Sequence, residues 1–204
     1  MRSKVTVFLN FIFALFCSGY SQTLNRGSIP VKVPLQCTGL SYIPRSVWRA
    51  RPEKPTIINL RIPIPHVFIH HTSSETCYDV ESCSSTIRKI QMDHQQTKHD
   101  IGYHFLIGGD GQIYEGRVWH YRGFIVDNYN TKSISIAFIG DYTDDIPSEN
   151  MIAATRNLLR CLSEKNYIKQ EFEVHGHRDA ESTFCPGDKL YQQIQTWPEY
   201  RLID

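Results

Sequence analysis

The 204-residue chain lacks an apolar run long enough to cross a bilayer, an excess of either charge, and any internal repeat. A membrane-spanning helix needs about 20 consecutive apolar residues. The longest candidate, Val5 to Cys17, has 13 and is interrupted by Asn10, so no membrane span is expected. A formal charge of +1 provides no electrostatic footprint for nucleic acid, and no nucleic-acid partner is expected. Heptads and low-complexity tracts are also missing, which excludes coiled-coil and disordered architectures. What remains is ordinary globular composition, 41% hydrophobic and 21% charged, in a chain able to bury one core.

The N-terminus is the first informative segment. Arg2 and Lys4 precede the apolar run, and Gly19 and Ser21 bracket Tyr20 before Gln22. A basic start, a short apolar middle and small residues form the pattern of a secretory signal. We therefore expect residues 1–21 to be a signal peptide and the mature protein to be secreted. Its removal leaves 20 basic and 21 acidic side chains, a nearly neutral protein for which a monomer is expected.

Cys17 leaves with that segment, so five cysteines remain: Cys37, Cys77, Cys83, Cys161 and Cys185. In an oxidising compartment an odd number leaves one thiol over, either free or joined to another chain. Cys77 and Cys83 enclose a short polar loop that a disulfide would close. Cys37 with Cys161 is then a candidate long-range staple, although spacing does not determine connectivity.

Residues 22–43 read as an extended arm punctuated by Pro and Gly, and 44–204 as one domain. His66 to His70 is short, apolar and partly β-branched, which predicts a buried strand. Glu81 to His99 predicts a helix from Ile87, Ile90 and His94, with Ser84 and Ser85 as candidate caps. Tyr103–Ile107 and Gln112–Tyr114 flank Gly108-Gly109-Asp110-Gly111, a hairpin signal. Ser133–Ile139 predicts another strand, and Phe172–His175 a short one. A helix follows Pro147-Ser148-Glu149 with Ile152, Thr155, Leu158, Leu159 and Leu162 on one face. A last helix carries Leu190, Tyr191 and Ile194. Strands alternating with helices predict an α/β domain around one mixed sheet.

Three places supply zinc-type ligands: His70-His71, His175-Gly176-His177 and Cys185. Zinc accepts imidazole nitrogen and thiolate, and a catalytic site keeps one of four positions open. Neighbouring residues on a strand face opposite ways, so His70 and His71 are not expected to share one ion. His175, two residues before His177, is a candidate for supporting that ligand or for a purely structural role.

The order of these pieces resembles the peptidoglycan recognition proteins of animals and, more distantly, bacteriophage zinc amidases. Pro44-Arg45-Ser46-Val47-Trp48-Arg49-Ala50-Arg51-Pro52 is similar to the opening motif of that family. Phe68-Ile69-His70-His71-Thr72 is similar to its first metal strand. Asp100 to Gly111, Tyr114-Glu115-Gly116-Arg117 and Ser135 to Gly140 follow, then Gly176-His177-Arg178-Asp179 and Cys185-Pro186-Gly187.

The resemblance spans Pro44 to Leu202 and implies the amidase type 2 fold with a central sheet flanked by helices. It implies that His70, His177 and Cys185 hold Zn2+, that Tyr103 is catalytic, and that Thr183 supports it. It also implies a disulfide between Cys77 and Cys83. The implied activity is hydrolysis of the muramoyl–L-alanine amide of bacterial peptidoglycan in innate immunity. The alternative is a recognition protein that binds muropeptides without cutting them.

His71, Trp119, Tyr121 and Arg122 are the candidate substrate contacts. Two departures stand out: Phe124-Ile125 where the family reads a small residue and a His, and Arg49 where it usually reads Gly.

Overall fold

A computed structural model describes residues 35–54 and 58–203, all within one compact unit, Lys32–Asp204. The expected signal peptide and most of the arm lie outside the described residues. Among the described residues the strands are β1 (Tyr42–Ile43), β2 (Ile64–His71), β3 (Phe105–Ile107), β4 (Ile113–Glu115), β5 (Ser133–Phe138) and β6 (Ile168–Gly176). The helices are α1 (Val80–His94), α2 (Glu149–Glu164) and α3 (Asp188–Gln195). The strands form one mixed sheet in the order β1-β4-β3-β5-β2-β6. Only β3 and β4 pair antiparallel, through the predicted Asp-Gly hairpin. No described helix is long and apolar enough to cross a membrane.

Every residue of β5 is buried, and so are the last five of β2, as parallel strands covered on both faces require. On one face Val67, Ile69, Ile134, Ile136 and Phe138 pack with Leu158, Leu159 and Leu162 of α2 and Leu190 and Ile194 of α3. On the other, Leu106 and Ala137 pack with Ile87 of α1 and with Trp48. His70 lies directly opposite Ala137 in register and therefore shares the α1 face. The residues across from His66, Phe68 and His70 are Ser133, Ser135 and Ala137.

Several boundaries differ from expectation for identifiable reasons. The cap of α1 is Asp79, whose carboxylate accepts from the Ser82 amide while Ser82 reaches back, so Ser84 and Ser85 fall inside the helix. That helix ends at His94, and the chain turns through His99 at a left-handed φ of 66°. Strand β6 begins four residues early because it is the sheet edge, where exposed Lys169, Gln170 and Glu171 hide the apolar pattern. The arm gives its last two residues to the sheet as β1, pairing with β4. Disulfides join Cys37 to Cys161 on α2 and Cys77 to Cys83. Cys185 is the free cysteine among the described residues.

Candidate metal centre

β2 and β6 run parallel, with Ile69 opposite Gly176, so their C-terminal ends arrive together. That register brings the His70 and His177 rings to 4.8 Å between centroids. Cys185 must then return from a loop. The Arg178 amide donates to Cys185 O at 3.0 Å, and the Arg178 guanidinium bonds Phe184 O and Asp188 Oδ1. Gly187 closes the loop at φ 88°, where a Cβ would lie 2.3 Å from the Tyr142 backbone, so only glycine fits.

The ligand atoms of His70, His177 and Cys185 all lie within 4.8 Å of one another. Cys185 Sγ is 3.8 Å from His70 Nδ1. Two corners of a tetrahedral zinc site with Zn–S about 2.3 Å and Zn–N about 2.05 Å are about 3.6 Å apart. Burial, followed by the nearby His177, holds His70 well below its ordinary pKa; it is neutral, the form that ligates. Burial pushes the Cys185 thiol up to about 12, and a bound cation supplies the charge that would ionise it. The donor set fits zinc.

Around these three, Tyr103 packs with its ring 5.3 Å from that of His70, and burial raises its phenol above the ordinary range. Thr183 Oγ1 accepts from the Cys185 amide at 3.2 Å, bracing the ligand's backbone. His177 Nε2 meets Glu181 Oε2 at 3.0 Å, while Glu181 Oε1 accepts from the Asp127 amide at 2.9 Å. A carboxylate on the far nitrogen of a ligating His fixes its tautomer and orientation. Sequence reading passed over Glu181, although its position four residues after His177 was the available signal.

Other candidates fall elsewhere. His71 is buried and turned away from His70, with Nε2 against Ser73 Oγ at 2.8 Å and Nδ1 accepting from the Tyr142 amide. His175 does not support His177. Its Nδ1 donates to Arg201 O and its Nε2 meets His66, because His177 lies beyond the strand end and no longer alternates with it. Trp119 and Tyr121, two of the candidate substrate contacts, are only 4% and 2% exposed. Trp119 packs into the main core against Tyr167, with ring centroids 4.3 Å apart. Arg122 is half-buried and lies over the Phe124 ring at 4.9 Å, with Arg117 over the same ring at 4.8 Å. Ile125 packs so closely on Gly102 that a Cβ there would be 2.5 Å from Ile125 Cδ1.

The N-acetylmuramoyl-L-alanine amidase family profile matches residues 60–188. Mouse peptidoglycan recognition protein 1 is 40% identical over 168 residues, spanning 80% of this chain and 92% of that protein. The chain belongs to the peptidoglycan recognition protein family. A pig N-acetylmuramoyl-L-alanine amidase is 35% identical over 164 residues, which span 78% of this family member and 27% of the pig protein. Among solved structures, peptidoglycan recognition protein-LE in complex with tracheal cytotoxin, a monomeric diaminopimelic acid-type peptidoglycan, superposes with a TM-score of 0.78. It is 36% identical and covers 80% of this chain and 97% of its own. The family thus includes proteins named for recognition and proteins named for hydrolysis.

Proposed function

We propose that this family member is a secreted, zinc-dependent N-acetylmuramoyl-L-alanine amidase that cuts the muramoyl–L-alanine bond of bacterial peptidoglycan in innate immunity. The observation that carries the reading is the convergence of His70, His177 and Cys185 within 4.8 Å. A zinc ion held by them supplies a Lewis acid for the amide carbonyl and brings the pKa of water toward about 7.

The chain's own residues do the rest. His70 and His177 present neutral imidazoles, and Glu181 holds the second in place. Tyr103, kept protonated by burial, donates its O–H toward the carbonyl oxygen as negative charge develops there. Thr183 keeps Cys185 aimed through the amide contact. Arg122, spread over Phe124, offers a guanidinium to a stem-peptide carboxylate. Secretion is supported by two disulfides, which persist in oxidising compartments, and by the signal-like N-terminus. We read residues 1–21 as that signal and 44–204 as the catalytic domain.

The test is muropeptide digestion with metal analysis on the wild type and on Cys185→Ser. Free stem peptide should appear with the wild type, vanish with chelator, and be absent with Cys185→Ser, which should still bind muropeptide. Zinc-loaded wild type that releases no peptide would defeat the hydrolase reading. The second reading, a recognition protein that binds without cutting, is favoured by the departure at Phe124-Ile125, where the family reads a small residue and a His. That same result, with muropeptide binding intact, would select it.

A further inference from the structure

Two groups of ligand-type side chains converge among the described residues. One is the centre above, and the other is His66, Glu173 and His175. We propose that His66, Glu173 and His175 form a second metal site, which takes a divalent first-row transition ion such as Zn2+. This inference does not depend on the hydrolytic reading.

The site is produced by register. His66 lies opposite Glu173, and Phe68 opposite His175, on the parallel pair β2 and β6. His66 Nδ1 is 3.1 Å from His175 Nε2 and 3.2 Å from Glu173 Oε2, and the third edge, His175 Nε2 to Glu173 Oε2, is 3.5 Å. Two nitrogens of a tetrahedral zinc lie about 3.3 Å apart, with nitrogen–oxygen edges similar. The triangle therefore accepts an ion with shifts of a few tenths of an ångström.

The proton count points the same way. His175 Nδ1 faces Arg201 O at 2.7 Å, and a carbonyl only accepts, so Nδ1 carries the proton and Nε2 presents a lone pair. Glu173 Oε2 presents another. The His66 Nδ1–H is left as the one proton for two acceptors, and the 3.5 Å edge sets two lone pairs against each other. A cation at the centre, with the His66 proton moved from Nδ1 to Nε2, satisfies all three atoms at once. The Arg201 carbonyl then plays for His175 the part that Glu181 plays for His177.

The surroundings suit an ion. Phe68 and Tyr129 wall the cluster, at 5.0 Å from His175 and 5.1 Å from His66 between ring centroids. Glu173 is nearly half exposed and gives a route in. Lys132 and Lys169 bear on His66 and oppose a cation, which makes the Glu173 charge necessary to binding. The site lies on the same sheet face as His70 but four residues away, about 13 Å along the strand, so one ion cannot serve both. Its ligands join β2 to β6, so the bound ion ties the sheet edge to its neighbour.

The experiment is Zn2+ titration of the metal-stripped chain by calorimetry, with stoichiometry checked by elemental analysis. Wild type, Cys185→Ser, Glu173→Gln, His66→Leu and the Glu173→Gln/Cys185→Ser double variant are compared. Two equivalents are expected for wild type, one for each single variant, and none for the double variant. The Glu173→Gln and His66→Leu losses should exceed about a hundredfold in affinity, more than removal of an outer partner gives. Co2+ spectra supply an independent readout. Cobalt bound to Cys185→Ser should lack thiolate charge transfer, whereas cobalt retained by Glu173→Gln should show it. A single equivalent in wild type, or Glu173→Gln and His66→Leu both keeping two, overturns the proposal. The side chains of His66 and Glu173 are partly exposed, and circular dichroism verifies that each variant is folded.

Discussion

Replacing Glu181 with alanine removes two contacts at once, one to the His177 ring and one to the Asp127 amide. A charge-assisted hydrogen bond contributes about 1.5–3 kcal/mol. Glu181 is a little over a third exposed, so solvent screening favours the low end, about 1.5 kcal/mol. Because the bond acts on a metal-holding imidazole, that loss should appear as about tenfold weaker zinc binding. Glu181→Gln keeps an oxygen acceptor for the His177 N–H without its charge, and should lose roughly half as much free energy. Competition against a chromophoric chelator at fixed pH measures both variants. Zinc affinity unchanged in Glu181→Ala, alongside a clear loss in Cys185→Ser, would refute the claim that Glu181 orients a ligand.

The two disulfides close loops of 124 and 6 residues in sequence separation. Loop-closure entropy makes the Cys37/Cys161 double alanine variant about 2.7 kcal/mol more destabilised than the Cys77/Cys83 one, and urea unfolding that ranks them the other way contradicts it. Burial lowers the pKa of His104 to about 4, where Nδ1 accepts from the Ser135 amide and Nε2 donates to Tyr121 O. The unfolded chain then binds the extra proton first, so this contribution is intact above about pH 6.5 and lost as pH falls toward 4. Roughly 2 kcal/mol should be gone by pH 5, and unfolding curves that do not weaken between pH 7 and 5 would count against it. Asp100 is buried against Arg45 at 3.0 Å and Gln91 at 2.7 Å. Asp100→Ala should cost about 3 kcal/mol by stranding the guanidinium, and Arg45→Met added to it should recover part of that in thermal melts.

Local signals were readable where one segment decides the outcome. Ser148 caps α2, and the 3.6-residue apolar period of α2 appears as its buried face. Asp110 and Gly111 make the β3–β4 hairpin, with Gly111 at φ 76°. The departure at Arg49 also has a backbone meaning, since that residue holds φ 58°, a region that disfavours side chains. The burial of Trp119 and Tyr121 was not legible, because an aromatic with a polar handle serves equally in a groove or a core. No local pattern separates those two destinations.

The sequence by itself determined the chemical inventory: which residues can ligate, donate or cap, and the order in which they come. Tertiary structure alone decided which of them meet. His70 and His177 are 107 positions apart in the chain and become neighbours only because β2 and β6 pair in parallel at a particular register. The same register sends His175 to His66 rather than to His177. The physical reason is that strand pairing is set by burial across the whole sheet, so no single segment carries the information.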